Sequence, residues 1–406
     1  MQRNSVPPTN RERLLDLLRV SGTSSRIDLV EATGLTAGTI SNLVRVLVEE
    51  GLVEETGRAA SRGGQPRRML QLRADSRCAV GVHFERGGIE LVLTDFTGRT
   101  IGASRVDSDQ RLAPARQLEA VGTRILAMAD ACGIAPHRVL GIGLVAEGPL
   151  DVPSGTLLAK EADARWQGQP IAGLLERQAG FPVRLLPVGT AAALAERVLD
   201  GGRRQPFGVI YLASSIAAGV VHEGQVFRGA DARPVELGHI TVDFNGPPCP
   251  CGNRGCLSQY SSGAALAQRA ASLPGLAEAL GGGAGNPMAD VQAIAEQATR
   301  GHPQARALWK EAARGLGHAA VSLVNLFGLE TVVLAGPALA GAGDLLLAEV
   351  RSIVQASSCH RALSPVHVER SRHGPLSAAI GGALQVLCAS DGTRTQEPTH
   401  RMMERS

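Results

Sequence analysis

The chain has 406 residues, 44% apolar and 19% charged, with a formal net charge of +3, and that length and composition fit a globular protein of two or three domains. No apolar run is long enough to span a bilayer, and the opening MQRNSVPPTN lacks the apolar core of a secretion signal, so we expect a cytoplasmic protein with no membrane partner and no disulfide framework. The mild positive balance neither demands nor excludes nucleic acid, and 3% aromatics argue against a base-stacking platform for single strands.

Residues 1–75 read as a first domain. Thr9-Asn10-Arg11-Glu12 has the form of a capping box, and Leu14, Leu15, Leu17 and Leu18 follow it, so a helix is predicted up to Gly22. Ser25 to Asp28 repeats the cap before a short helix that stops at Gly34. Thr36 caps a third helix, whose apolar residues Ile40, Leu43, Val44, Leu47 and Val48 recur at helical spacing up to Gly51. Leu52 to Thr56 and Arg68 to Leu72 read as two short strands around an arginine- and glycine-rich loop.

Three short helices with a tight turn between the second and third describe a helix-turn-helix, and the two strands describe its wing. The third helix would enter a major groove of double-stranded DNA. Thr36, Thr39, Ser41, Asn42 and Arg45 lie off its apolar stripe and are donors and acceptors of the kinds used on bases and phosphates. In the wing, Arg62, Gln65, Arg67 and Arg68 complete the expected DNA-binding set, and arginines there suit a narrow minor groove. Such modules bind as dimers on symmetric operators, so a homodimer or homotetramer is expected.

From Cys78 the pattern turns α/β. CAVGVHF, GIELVLTD, VLGIGLVA, FGVIYLA, GVVHEG and TVVLAG read as strands. ARQLEAVGTRILAMADACG, AAALAERVLDG, ARALWKEAARGLGHAAVSLVNLFG and LSAAIGGALQVLCAS read as helices. Two similar lobes are the expected arrangement: residues 76–390 as a second domain, with a first lobe at about 76–200, a second at about 201–374, and a C-terminal helix, 376–390, returning to the first. The polar residues 391–406 read as a disordered tail.

Three of the seven cysteines fall in CPCGNRGC, at Cys249, Cys251 and Cys256. Thiolates are soft ligands that suit Zn2+, and a structural zinc takes four ligands. His239 is the nearest fourth candidate, with His222 a weaker one. A closed site of four ligands leaves no position for a catalytic water, so a structural ion is expected.

Glu236-Leu237-Gly238-His239, followed ten residues on by Cys249-Pro250-Cys251-Gly252-Asn253-Arg254-Gly255-Cys256, resembles the signature of the ROK family of repressors and sugar kinases. With a winged helix in front, the chain is similar to the family's transcriptional regulators of the xylose-repressor and N-acetylglucosamine-repressor type. The resemblance implies a two-lobed, actin-like (ribonuclease H-like) fold and a zinc that orders a sugar-binding loop. By the same resemblance His239 faces zinc with one ring nitrogen and a sugar with the other, and Glu236 accepts hydrogen bonds from sugar hydroxyls.

Departures from the family pattern bear on activity. The first phosphate loop of the kinases, Asp-x-Gly-Gly-Thr, aligns with His83-Phe84-Glu85-Arg86-Gly87, where Glu85 would repel phosphate. The second, glycine-rich loop aligns with Ala213 to Gly219, which places side chains where backbone amides should meet phosphate oxygens. Val188 stands at the catalytic aspartate's place and cannot take a proton, and Ser258 replaces a ligand-binding glutamate. The expectation is therefore a DNA-binding transcriptional regulator, a repressor by family usage, with kinase activity lost and no enzyme activity. Glu236, His239 and Thr190 are the candidates for binding a sugar or other small effector, and Trp166 lines a cleft or belongs to the core. A ROK-type sugar kinase and a ligand-independent DNA-binding scaffold are the alternatives.

Overall fold

Thr9 and Ser25 each open a helix with a reciprocal cap. The Thr9 hydroxyl accepts from the Glu12 amide at 3.2 Å while the Glu12 carboxylate accepts from the Thr9 amide at 2.7 Å, and Ser25 and Asp28 repeat the exchange. The helices run Asn10–Ser21 and Arg26–Thr33, and a third, Ala37–Glu49, is capped by Thr36. Strands Val53–Arg58 and Arg68–Leu72 pair antiparallel, and Thr23–Ser25, which the sequence did not announce, adds a third strand beside Arg68–Leu72. The computed structural model describes residues 8–58, 67–85, 87–109, 111–158, 164–202, 206–281, 286–341, 343–359 and 361–389. The wing residues Arg62 and Gln65 and the predicted tail 391–406 lie outside the described residues.

Two five-stranded sheets follow. The first contains, in spatial order, Val183–Pro187, Val139–Ala146, Cys78–Glu85, Gly88–Asp95 and Thr100–Val106. The second contains Gln225–Val226, Ile216–His222, Phe207–Leu212, Thr331–Ala335 and His367–Arg370. In each, the first strand in the chain is central. The second and third run antiparallel on one side of it, and the fourth and fifth run parallel on the other. This repeated topology is the two-lobed α/β fold expected from the sequence.

Two helices fill the space between the sheets. Val188–Leu199 packs on the second sheet at Ile216–His222, and Ser377–Cys388 packs on the first at Cys78–Glu85 and Val139–Ala146. They cross so closely that a Cβ on Gly381 would collide with the Ala191 carbonyl, and Gly382 and Gly143 leave no more room on the other side. Every residue from Val188 to Val198 is buried, which fits a helix wrapped on all sides.

The N-terminal helix rests on this pair. Leu14, Leu15 and Leu18 share one apolar cluster with Leu194, Val198, Ile380, Leu384 and Leu387. Asp16 forms a bidentate ion pair with the buried Arg197, one arm at 3.1 Å, and Arg197 also donates to the Gly224 carbonyl at 2.6 Å. Arg19 lies 5.2 Å over the Phe96 ring and donates to the Phe96 carbonyl at 3.2 Å. The winged helix is therefore seated on the helices that join the two lobes.

Candidate functional site

The exposed face of Ala37–Glu49 carries Thr39, Ser41, Asn42 and Arg45, with Thr36 at its head. Ile40, Val44 and Leu47 are buried on the opposite side, whereas Val48, read as part of the stripe, is 39% exposed. Thr36 spends its oxygen on the cap, accepting from the Thr39 amide at 3.2 Å. Arg45 donates to Glu49 and to Asn42, each at 2.8 Å. Arg67 reaches Asp28 at 3.4 Å, and Arg68 reaches Glu55 at 2.7 Å. These ion pairs are exposed and worth little in water, so the arginines can exchange them for phosphates.

The second candidate is the cysteine loop. The Cys249 sulfur lies 3.6 Å from His239 Nδ1, and the sulfurs of Cys251 and Cys256 lie 3.7 Å apart. All four ligand atoms fall within 4.8 Å of one another, a set that could hold a metal ion. The chain folds back there because Gly255, at φ 62°, runs against the Asp243 carbonyl where a Cβ would not fit. Tyr260 donates to Asp243 at 2.9 Å, and Arg254 donates to the Gly246 carbonyl at 2.7 Å. His222, the weaker candidate, ends strand Ile216–His222 on the surface and is not in the cluster. Ser258 donates to the Gly238 carbonyl at 2.8 Å, so it holds the turn that carries His239.

Between the lobes, the segments aligned with phosphate loops carry acids. Glu85 ends the central strand of the first sheet, and Glu147 follows its parallel neighbour. Both meet Ser214 of the second lobe: its amide donates to Glu85 at 3.2 Å and its hydroxyl to Glu147 at 3.0 Å. Burial, then the charge of Glu147, pushes the Glu85 pKa up to about 7. His83 is fully buried with its ring 5.7 Å from Tyr211, and burial lowers its pKa to about 4, so it is neutral near pH 7. Gly336 has a structural reason to be glycine: at φ 104° it passes against the Leu212 backbone. Val188 is buried at the first turn of its helix, and Trp166 packs edge-on against Phe84 at 5.1 Å in the core of the first lobe instead of lining a cleft. Glu147, Asp16 and Arg197 were missed from sequence, because nothing in their local spacing announces partners so distant in the chain.

A raised carboxyl pKa opposes folding at high pH. Between pH 4.5, the ordinary value, and about 7, the folded chain keeps a proton on Glu85 that the unfolded chain releases, so stability falls as pH rises through that window. Glu85→Gln removes the penalty. The variant is expected to be more stable than the parent above pH 7, by on the order of 2–3 kcal/mol, with the gain vanishing at acid pH. Urea unfolding at several pH values measures it, and a gain independent of pH would contradict the burial of this carboxyl.

The ROK family model matches residues 81–388. The chain belongs to the ROK family. The xylose repressor of Caldicellulosiruptor bescii is 26% identical over 367 residues, covering 89% of this chain and 91% of the repressor. The crystal structure of a ROK family transcriptional regulator, a homologue of Escherichia coli Mlc, superposes with a TM-score of 0.73 at 24% identity, covering 94% of this chain and 97% of that one. A ROK hexokinase from Thermus thermophilus, 30% identical with a TM-score of 0.58, covers 76% of this chain and 97% of its own. The family match begins at residue 81, so the three helices and the wing described above precede it.

Proposed function

We propose that the chain is a DNA-binding transcriptional regulator, a repressor by the usage of its relatives, whose ROK domain pairs subunits and senses a small ligand without transferring phosphate. One observation carries the reading: a winged helix with an exposed polar third-helix face is seated, through Asn10–Ser21, on the helices between the ROK lobes. Domain limits at 1–75 and 76–390 accord with it. Thr39, Ser41, Asn42 and Arg45 would meet base edges and phosphates in the major groove, with Thr36 holding the helix start against the backbone. Arg67, Arg68 and the loop residues Arg62 and Gln65 would flank it. Lobe closure would shift the two interlobe helices and with them the paired winged helices, so that ligand and operator affinities are linked.

Phosphoryl transfer has little support. A nucleotide's phosphates would meet Glu85 and Glu147, and Val188 offers no base for a sugar hydroxyl. Glu236, exposed beside His239, remains available to an effector, whereas Thr190 is buried in the first turn of its helix.

Zinc is the ion we propose for the cysteine loop. A tetrahedral zinc with Zn–S of about 2.3 Å and Zn–N of about 2.0 Å has S–S edges of about 3.8 Å and S–N edges of about 3.5 Å. Two of the separations, 3.7 and 3.6 Å, fall at those edges, while the set as a whole spreads to 4.8 Å. Cys249, Cys251, Cys256 and His239 would hold it, and its chemistry there is a cross-link that fixes the turn bearing Glu236 and His239.

Binding of a duplex containing the operator, followed by fluorescence anisotropy, tests the reading. Affinity is expected to fall linearly with the logarithm of salt concentration, and Arg45→Ala to weaken binding about tenfold. ATP-dependent phosphorylation of a hexose by the pure protein, or salt-independent binding unaffected by Arg45→Ala, would overturn it.

A further inference from the structure

Ser214 of the second lobe bonds two carboxylates of the first, and the contact is firmly built on both sides. Its own turn is pinned to the start of helix Gly263–Ala271: the Ala213 carbonyl accepts from the Gly263 amide at 2.9 Å and the Ser214 carbonyl from the Ala264 amide at 3.0 Å. Opposite it, Glu85 ends strand Cys78–Glu85 and Glu147 follows the parallel neighbour Val139–Ala146. The Ser214 amide reaches Glu85 at 3.2 Å and the hydroxyl reaches Glu147 at 3.0 Å. Two donors on one residue therefore hold two half-buried acids and, through them, the two lobes.

Among the described residues, few other charged or titratable groups face this pair. On the same strand as Glu85, His83 is fully buried with neither ring nitrogen hydrogen-bonded, and burial that lowers its pKa to about 4 keeps it neutral. On the next two strands, Glu90 and Arg105 form an ion pair with each other and act on Glu85 in opposite directions. Across the cleft, the Tyr211 hydroxyl donates to the Pro375 carbonyl at 3.2 Å, and burial, then the charges of Glu85 and Glu147, keep that phenol protonated. Arg86 lies outside the described residues. What raises the Glu85 pKa to about 7 is burial first and the Glu147 charge second. The second lobe supplies part of that burial through Ser214 and Tyr211, so it lasts only while the lobes are together.

We propose that Glu85, Glu147 and Ser214 form a proton-controlled latch between the lobes. With one proton between the two carboxylates the lobes stay closed on Ser214; loss of that proton leaves two like charges in a dry site, which opening hydrates. In the open form Glu85 regains water and an ordinary carboxyl pKa near 4.5, so between pH 4.5 and about 7 the closed form keeps a proton that the open form releases. Closure is therefore strongest in acid and weakens as pH rises through that window, by on the order of a hundredfold in the closing equilibrium. The helices Val188–Leu199 and Ser377–Cys388 pack one on each sheet and together carry Leu14, Leu15 and Leu18 of the winged module, so opening moves the surface on which that module sits. The latch stands on the cleft alone; its effect on DNA rests on the proposed function.

Hydrogen exchange of the full chain without DNA, read in peptides covering Ser214 from about pH 5.5 to about 8 and corrected for the intrinsic rate, tests the latch. Protection in the parent is expected to fall by about tenfold or more across that range. In Glu85→Gln, whose neutral amide still accepts from Ser214, protection should stay constant; in Glu147→Gln the fall should move to lower pH, because the like charge is gone. Ser214 should also exchange faster than the core strand Val139–Ala146 at every pH, since it opens with the lobes and not with the whole fold. Corrected protection that is flat in the parent, that falls equally in Glu85→Gln, or that matches the core strand overturns the proposal. Duplex affinity is expected to change over the same window in the parent and not in Glu85→Gln. A latch seen by exchange with a duplex affinity flat in pH overturns its coupling to DNA, whereas a parent that binds no duplex at any pH overturns the DNA reading and leaves the latch to be decided by exchange.

Discussion

Arg197→Met is expected to destabilise the folded chain by about 3–5 kcal/mol, because it strands Asp16 at a buried junction without its counter-charge. The pair is well shielded, with side-chain exposures of 8% for Arg197 and 19% for Asp16. It also sits where three elements meet: the first helix of the winged module, the interlobe helix that carries Arg197, and the turn at Gly224. Replacing both partners, Asp16→Leu with Arg197→Met, removes the unpaired charge and is expected to recover much of the loss, since a well-packed apolar pair often matches a buried ion pair. Urea unfolding of the parent, both single variants and the double variant measures the cycle. Single variants within about 1 kcal/mol of the parent would mean that the pair behaves as an exposed one and that the module is not anchored there.

The second large effect is metal removal. With free zinc about a thousand times above its dissociation constant, the proposed ion would contribute roughly 4 kcal/mol to stability, which chelation would withdraw. The loss is concentrated in the loop from Thr241 to Cys256, whose strand-like contacts are the isolated bridges Thr241 to Cys256 and Pro248 to Arg254. Cys256 is fully buried, so Cys256→Ser removes a ligand and leaves a hydroxyl in its place. The expected outcome is one zinc per chain, a lower melting temperature after chelation that zinc restores, and the same deficit in Cys256→Ser without rescue. A chain purified without zinc that melts unchanged with or without added metal would refute the assignment.

The clearest parts of the sequence were those in which local chemistry decides local structure. Thr9 with Glu12 and Ser25 with Asp28 name their own caps, and the fully buried strands Val139–Ala146 and Phe207–Leu212 stand out as apolar runs. The cysteine spacing brought together the residues that the fold brings together. Edge strands were missed for a physical reason. Thr100–Val106 alternates half-buried and exposed residues around Gly102 and Ser104, and His367–Arg370 has one buried residue, Val368, so neither presents an apolar run. Helix Val188–Leu199 begins three residues before the apolar stretch that announced it, directly after Pro187, whose missing amide costs nothing at a helix start. The contacts that give the site its character join residues far apart in the chain. Ser214 with Glu85 and Glu147, and Asp16 with Arg197, depend on how the two sheets and the winged module pack. Replacement of the kinase residues could be read from sequence; the bonding of the new acids across the cleft could not.

On the proposed function, this ROK chain reads DNA as a symmetric assembly. Selection of bound duplexes from a random pool, followed by sequencing, tests it most directly. The expected result is an inverted repeat with half-sites one helical turn apart, about 10 base pairs or a multiple of that, lost when Asn42 and Arg45 are both replaced by alanine. A pool that shows no enrichment over many rounds at low salt, or an enriched sequence that the double variant binds equally well, would contradict the account.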